Sequence, residues 1–426
     1  MEPEIVEHVP GERSERSALS PLAREAVLAR PLGAAAPLRV CHVVPFLDRV
    51  GGYEIQARAL AAEQRAALGL ATLLLSHGRA GLPACEASDA GPVHRLPRGV
   101  RWYHPGVWWR RHADAIDVVH AHALHRLSGQ VVARAAAAGV PSLVKVASAD
   151  DVQMHADPAG WNAEHASAGR RLGLLRRGAL RTAFRRLLHA DRFVALNGGI
   201  ARALVDAGVP PGRVVQLPNG VDVLRLRPAQ AEERARARLR LGVAPEACCV
   251  VFVGRLVASK DVASLLSAVR RLPPGPAVDV LVVGDGPERL RLEEAARTLG
   301  EGRRARLLGE RSDVPSILQA ADVFASPSRT EGMPNAVLEA LASGVASALS
   351  DIPGHGDTAA GREHALFFPA GDADALAHAL QRLRIDTGLR RTLAARARAA
   401  ACEAFSLAVL ARRYADLYRE IGAGAA

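Results

Sequence analysis

The chain has 426 residues, more than one open α/β sheet ordinarily needs, so two domains of ordinary size are expected. Aromatic residues make up 4% and charged residues 23%, a globular balance that excludes disorder throughout. The formal charge of +11 invites an acidic partner, whether nucleic acid, anionic lipid or a phosphorylated substrate, and by itself excludes none of them.

Residues 1–36 are polar, rich in Glu, Arg, Pro and Ala, and lack the periodicity of a packed element; a mobile N-terminal extension is expected there. "LRVCHVV" (38–44) reads as the first buried strand, followed by Gly51 and Gly52 in a loop and a helical pattern from Tyr53 to about Leu68. Further apolar runs stand at 71–75, 116–122, 142–146, 192–196 and 213–217, with helical stretches between several of them. Such alternation implies a parallel sheet. "PNGVD" (218–222) breaks the pattern, and it restarts with strands at 249–254, 278–284, 305–309 and 322–326. The expected organisation is an N-terminal acceptor-side domain over 37–220, a C-terminal donor-nucleotide domain over 221–404, and a C-terminal helix over 405–426 that can pack back on the first domain. Both domains read as α/β, two Rossmann-like doubly wound parallel sheets facing a cleft, with chemistry expected in the loops beyond the carboxyl ends of the strands.

"SRTEGMPNAVLEA" (328–340) places Glu331 in the loop after the strand "DVFAS" and Glu339 in the helix that follows. Pro334 suits the first helical position, and Asn335 and Glu339, four apart, share one face while Val337, Leu338 and Leu341 form the apolar one. Free N–H groups at the helix start favour an anion, and the two carboxylates can accept hydrogen bonds from hydroxyls around it, which suggests a sugar nucleotide. "VGRLVASKD" (253–261) adds Arg255 at a strand end and Lys260 near the next helix start, a planar fork and a mobile point charge suited to a diphosphate. "VGDGPE" (283–288) is a third strand-to-helix turn of weak signal, since sharp turns alone require glycine.

Together these segments resemble a family 4 retaining glycosyltransferase of the GT-B fold, over nearly everything after residue 37. "EGMPNAVLEA" is similar to the family's Glu-x7-Glu motif and "VGRLVASKD" to its phosphate-holding Arg and Lys, with "PNGVD" and "VGDGPE" in support. The resemblance implies Arg255 and Lys260 on the donor phosphates, Glu339 on the ribose hydroxyls, and Glu331 with the backbone of Gly332, Met333, Pro334 and Asn335 around the transferred sugar. It places Gly51 and Gly52 in a loop lining the cleft. A nucleotide diphosphate sugar donor, an acceptor hydroxyl in glycan, glycolipid or related synthesis, and no cofactor or metal are what it implies. A sugar-nucleotide epimerase of the same fold is the alternative.

Three departures stand out. Where many members carry a histidine after the strand at 142–146, this chain continues Ala147, Ser148, Ala149, Asp150. His120 and His122, after the preceding strand, are the candidates to face the cleft instead. The family's Gly-Gly and Glu appear as "DIPGHGD", and the usual proline after "SG" is missing in "SGVASALSD". Asp372-x-Asp374 resembles a metal motif of a different glycosyltransferase fold but reads as a helix N-cap with a dipole-complementing acid.

"GRRLGLLRRGALRTAFRRLLHA" (169–190) concentrates arginines among leucines and reads as a basic amphipathic helix, either a first-domain helix or a contact for anionic membrane, with Trp108 and Trp109 able to assist if exposed. Few stacking aromatics argue against nucleic acid. The five cysteines have no metal-ligand spacing, no apolar run reaches the roughly 18 residues of a membrane span, and the acidic start is unlike a signal peptide. A cytoplasmic chain, able to lie at the inner face of the membrane, is expected.

Overall fold

Chain alternation builds two sheets. The first comprises β1 (Arg39–Val43), β2 (Ala71–His77), β3 (Cys85–Glu86), β4 (Val93–Leu96), β5 (Val118–Ala121), β6 (Ser142–Val146), β7 (Arg192–Ala195) and β8 (Val214–Gln216), in the order β3-β4-β2-β1-β5-β6-β7-β8. All its pairs are parallel except β3 with β4. The second comprises β9 (Cys248–Val253), β10 (Val278–Val283), β11 (Arg303–Gly309), β12 (Val323–Ser326), β13 (Ala346–Ser350) and β14 (Leu366–Phe368), all parallel, in the order β11-β10-β9-β12-β13-β14. The computed structural model describes residues 37–48, 51–79, 81–97, 105–165, 173–359 and 361–424; the extension expected over 1–36 lies outside them. Residues 37–426 form one unit, which contains both sheets.

Strand order reverses at β1/β5 in the first sheet and at β9/β12 in the second. In open parallel sheets the crevice for ligands opens at such reversals, beyond the carboxyl ends. The "VGRLVASKD" loop follows β9 and the "SRTEGMPN" loop follows β12, so the two strongest motifs flank one reversal.

The chain passes between sheets at 217–222 and returns at 405–407. There Val221 N–H donates to Phe405 C=O at 2.8 Å and Leu407 N–H to Val221 C=O at 2.9 Å. A Cβ on Gly220 would lie 2.9 Å from Leu407 Cδ1 and 3.2 Å from Leu407 Cα, so the two segments pass each other closely. The returning chain forms the helix Leu407–Ala423, whose Tyr414, Tyr418 and Ile421 pack against Val40, Leu60, Val118, Leu143 and Val194. Each large apolar side chain buried this way contributes roughly 1.5–3 kcal/mol.

One expectation needs correction. Trp108 and Trp109 are buried, at 1% and 6% exposed, and Trp108 Nε1 donates to His94 Nδ1 at 3.0 Å, so neither can touch a membrane. The arginine-rich helix spans Leu174–Leu187, with residues 169–172 outside the described ones. Ala183, Phe184 and Leu187 enter the core, whereas Leu174 and Leu175 are 82% and 94% exposed.

Candidate active site

Two glycines hold the Arg255 loop in place. Gly284 has φ 124°, and a Cβ there would lie 1.9 Å from Gly254 O; one on Gly286 would lie 2.4 Å from Leu256 O. Leu256 N–H also donates to Asp285 C=O at 2.8 Å. The "VGDG" turn is therefore a buttress: its backbone approaches so closely, and at a positive φ, that only glycine fits. Arg255 is exposed and has no ion pair among the described residues.

Lys260, at the end of the same loop, forms an ion pair with Glu331 across 71 residues of sequence. Ser328 Oγ donates to the same carboxylate oxygen at 2.8 Å. Beneath them His355 is fully buried, with Nε2 3.0 Å from Ser326 Oγ and Nδ1 2.9 Å from Ser350 C=O, tying the ends of β12 and β13 together. Ser350 Oγ donates to Ser328 C=O at 2.5 Å. Burial pushes the His355 ring below the ordinary histidine range, so a neutral ring serves as the brace. The "DIPGHGD" segment thus supports the Glu331 loop: a Cβ on Gly354 would lie 2.3 Å from Glu331 O.

The helix bearing Glu339 spans Asn335–Ala342, with Pro334 at its cap and not, as expected, at its first helical position. Val337, Leu338 and Leu341 are buried. Glu339 does not look freely outward; it is half-buried, and loss of water pushes its carboxyl up to about 7, against a smaller opposing effect of Arg225. Gly332 crosses to the first domain, where Asn197 Nδ2 donates to its C=O at 2.7 Å and a Cβ would lie 2.1 Å from Ala147 O. Met333 is buried, its sulfur accepting from Asn219 N–H at 3.1 Å. Gly51 and Gly52 stand at the start of the helix Gly52–Leu68, and Asn335 Nδ2 donates to Gly52 C=O at 3.1 Å. The structure thus brings Lys260 and Glu331, and Gly52 and Asn335, together.

His120 and His122 do not reach the cleft. They are 0% and 1% exposed, in the core beneath the C-terminal helix. Gln64 Oε1 takes a hydrogen bond from His42 Nε2 at 3.0 Å, which leaves His42 Nδ1 to accept from His122 Nε2 at 2.9 Å. His120 Nδ1 lies 2.7 Å from the Tyr418 hydroxyl. Burial, then their neighbours, pushes both rings well below the ordinary range, and burial takes His42 to about 4. One nitrogen each of His42, His120 and His122 lies within 4.8 Å of the others, a ligand-like spacing. Both nitrogens of His42 are committed, however, and Lys145 lies close enough to disfavour positive charge on His120 and His122. The three are core histidines. Nothing local in "VVHAH" signals this, because the tyrosine that covers His120 comes from the chain's far end.

Asp372 caps the helix Ala373–Ile385, accepting from Asp374 N–H at 3.0 Å and Ala375 N–H at 2.9 Å, and Asp374 pairs with Arg271.

Residues 234–400 match the family described as glycosyl transferases group 1, and residues 51–220 match the glycosyl transferase 4-like domain. The D-inositol 3-phosphate glycosyltransferase of Salinispora arenicola is 34% identical over 229 residues, 50% of this chain and 51% of that protein. The UDP-Gal:alpha-D-GlcNAc-diphosphoundecaprenol alpha-1,3-galactosyltransferase of Escherichia coli is 31% identical over 182 residues, 42% of this chain and 47% of that one. The chain spans about half the length of most of the curated relatives it matches. In fold it resembles Anabaena HepE, solved in complex with UDP and glucose, with a TM-score of 0.72 at 20% identity over 90% of this chain and 100% of that one.

Proposed function

The chain belongs to the glycosyltransferase family whose group 1 and 4-like domains it carries, with the GT-B fold, and we propose that it moves a hexosyl group from a nucleotide diphosphate sugar to an acceptor hydroxyl with retention at the anomeric carbon. The observation that carries this reading is the Lys260–Glu331 pair, which joins the loops after β9 and β12 at the strand-order reversal and leaves Arg255 exposed beside it. Arg255 and Lys260 hold the donor diphosphate and stabilise the charge that grows as it leaves. Val337 and Leu338 N–H donate to Pro334 C=O, which leaves the N–H groups of Asn335 and Ala336 at the helix start for the same anion. Glu331, held by Lys260 and Ser328, orients the transferred sugar, and Glu339 accepts from the ribose hydroxyls. The acceptor attacks on the face from which the diphosphate departs, and a diphosphate oxygen takes its proton, so no protein nucleophile is needed.

A donor panel headed by UDP-sugars, following HepE, tests this by nucleotide diphosphate release with soluble and lipid-linked acceptors supplied separately. Absence of nucleotide diphosphate release from every donor with every acceptor would overturn it. Cationic side chains take the place of a bridging metal in this reading, so activity should survive EDTA. Complete loss that magnesium or manganese restores would sink that part.

A lipid-linked acceptor fits the exposed Leu174 and Leu175 beside Arg176, Arg177 and Arg181, which suit peripheral contact with an anionic leaflet. No helix among the described residues is long and apolar enough to cross a membrane. Sedimentation with phosphatidylglycerol vesicles should fall when both leucines become serine. Equal sedimentation would remove the contact.

A further inference from the structure

Gln56 lies one turn into the helix Gly52–Leu68 and is 8% exposed. Its Oε1 accepts from Gly220 N–H at 3.1 Å, and its Nε2 donates to Gly220 C=O at 2.8 Å. One amide therefore satisfies both backbone groups of a residue in the interdomain connector. The same Nε2 donates its second hydrogen to Asn335 Oδ1 at 3.2 Å. Asn335 Oδ1 accepts again from Asn219 Nδ2 at 2.9 Å, and Asn335 Nδ2 donates back to Gly52 C=O at 3.1 Å. The Asn335 side chain is thus engaged by the first domain and the connector, while only its backbone stays with the donor helix start.

The glycine loop and the donor loop belong to different sheets, so their separation is not set by either sheet. Transfer requires reacting atoms about 3–3.5 Å apart, and a displacement of about 1 Å far from the chemistry can lower a rate on the order of a hundredfold. Neutral amide hydrogen bonds between the loops can fix that separation and still break for product release. We propose that Gln56 is a positioning residue for transfer: through Asn335 and Gly220 it holds the glycine loop, the connector and the donor helix start in one register. The proposal rests on the transferase reading above, and nothing in the sequence motifs points to Gln56.

Gln56→Leu removes these bonds at similar volume, and Gln56→Glu keeps the acceptor but loses both donors. Each is measured for melting temperature, nucleotide diphosphate affinity, donor KM, kcat and small-angle scattering with saturating nucleotide, beside Asn335→Leu and the double variant Gln56→Leu/Asn335→Leu. Both Gln56 variants should fold, keep their nucleotide affinity and donor KM, lose about tenfold in kcat, or ~1.4 kcal/mol, and scatter as a more open particle. The double variant should lose no more than Gln56→Leu alone, because one clamp is broken once. A kcat within about twofold of the parent in a folded Gln56 variant, or single losses that multiply in the double, would overturn the clamp. Should the parent transfer no sugar at all, the transferase reading falls, and scattering still decides: unchanged profiles in both Gln56 variants refute the clamp, and wider ones retain it.

Discussion

Glu339→Gln exchanges a carboxyl for an amide of nearly the same shape at a site where burial sets the charge. The folded carboxyl titrates near pH 7 against 4.5 for an ordinary glutamate, because the helix and its neighbours strip it of water. The folded state therefore holds this proton more tightly than the unfolded one. Stability from this group is greatest below pH 4.5, falls as pH rises towards 7, and levels off above it. Ionised Glu339 then costs the fold up to about 3 kcal/mol, an upper figure because the side chain keeps part of its water. Glutamine escapes that cost, so in urea unfolding the variant should be the more stable protein at pH 8, with the gap closing as pH falls towards 4.5. Binding should move the other way. At pH 8 the parent carboxyl is about nine-tenths ionised and accepts ribose hydroxyls with charge assistance, worth roughly 1.5–3 kcal/mol, so glutamine should weaken nucleotide diphosphate binding roughly ten- to hundredfold. At pH 6 the parent is about nine-tenths protonated and the two should bind within a few-fold of each other. Calorimetry at both pH values reads this, and the variant corrects for titration of the nucleotide itself. A binding gap independent of pH, or no gain in stability at pH 8, would refute the assignment of a desolvated ribose-binding carboxylate.

Arg255→Ala and Lys260→Ala should each lower transfer by roughly tenfold or more, about 1.4 kcal/mol of transition-state stabilisation, in folded proteins; near-normal turnover in both would remove the diphosphate site. Glu331→Gln should depress turnover more than nucleotide affinity, since the free nucleotide lacks the transferred sugar that Glu331 touches, although the change loosens Lys260 as well. Equal losses of nucleotide affinity in Glu331→Gln and Glu339→Gln would defeat this division of roles. Gly284→Ala should destabilise the second domain by about 3 kcal/mol, because its Cβ would meet Gly254 O at a positive φ; a melting temperature within a degree or two of the parent would contradict the buttress.

The sequence alone determined the alternating architecture, because a strand buried on both faces must be a short apolar run and a parallel connection must carry a helix. β1, β6 and β9 stand where such runs occur, and the loops after β9 and β12 carry the residues singled out as Arg255, Lys260, Glu331 and Asn335. Four strands escaped that reading. β3 has two residues, and β13, "ASALS", has small residues at four of its five positions, which propensity does not favour. It becomes a strand because β12 and β14 pair with it on either side, with all five residues buried. Only the tertiary structure decided which polar groups meet. Lys260 finds Glu331 71 positions away, His120 finds Tyr418 298 away, and Gln56 finds Gly220 and Asn335 164 and 279 away, only because two sheets and a returning helix place them. Periodicity reports which face of an element is apolar, and it does not say which distant element will cover that face. His120 was therefore legible as a strand-end residue but not as a buried one, and Glu339 as a helix residue but not as a carboxyl that has lost its water.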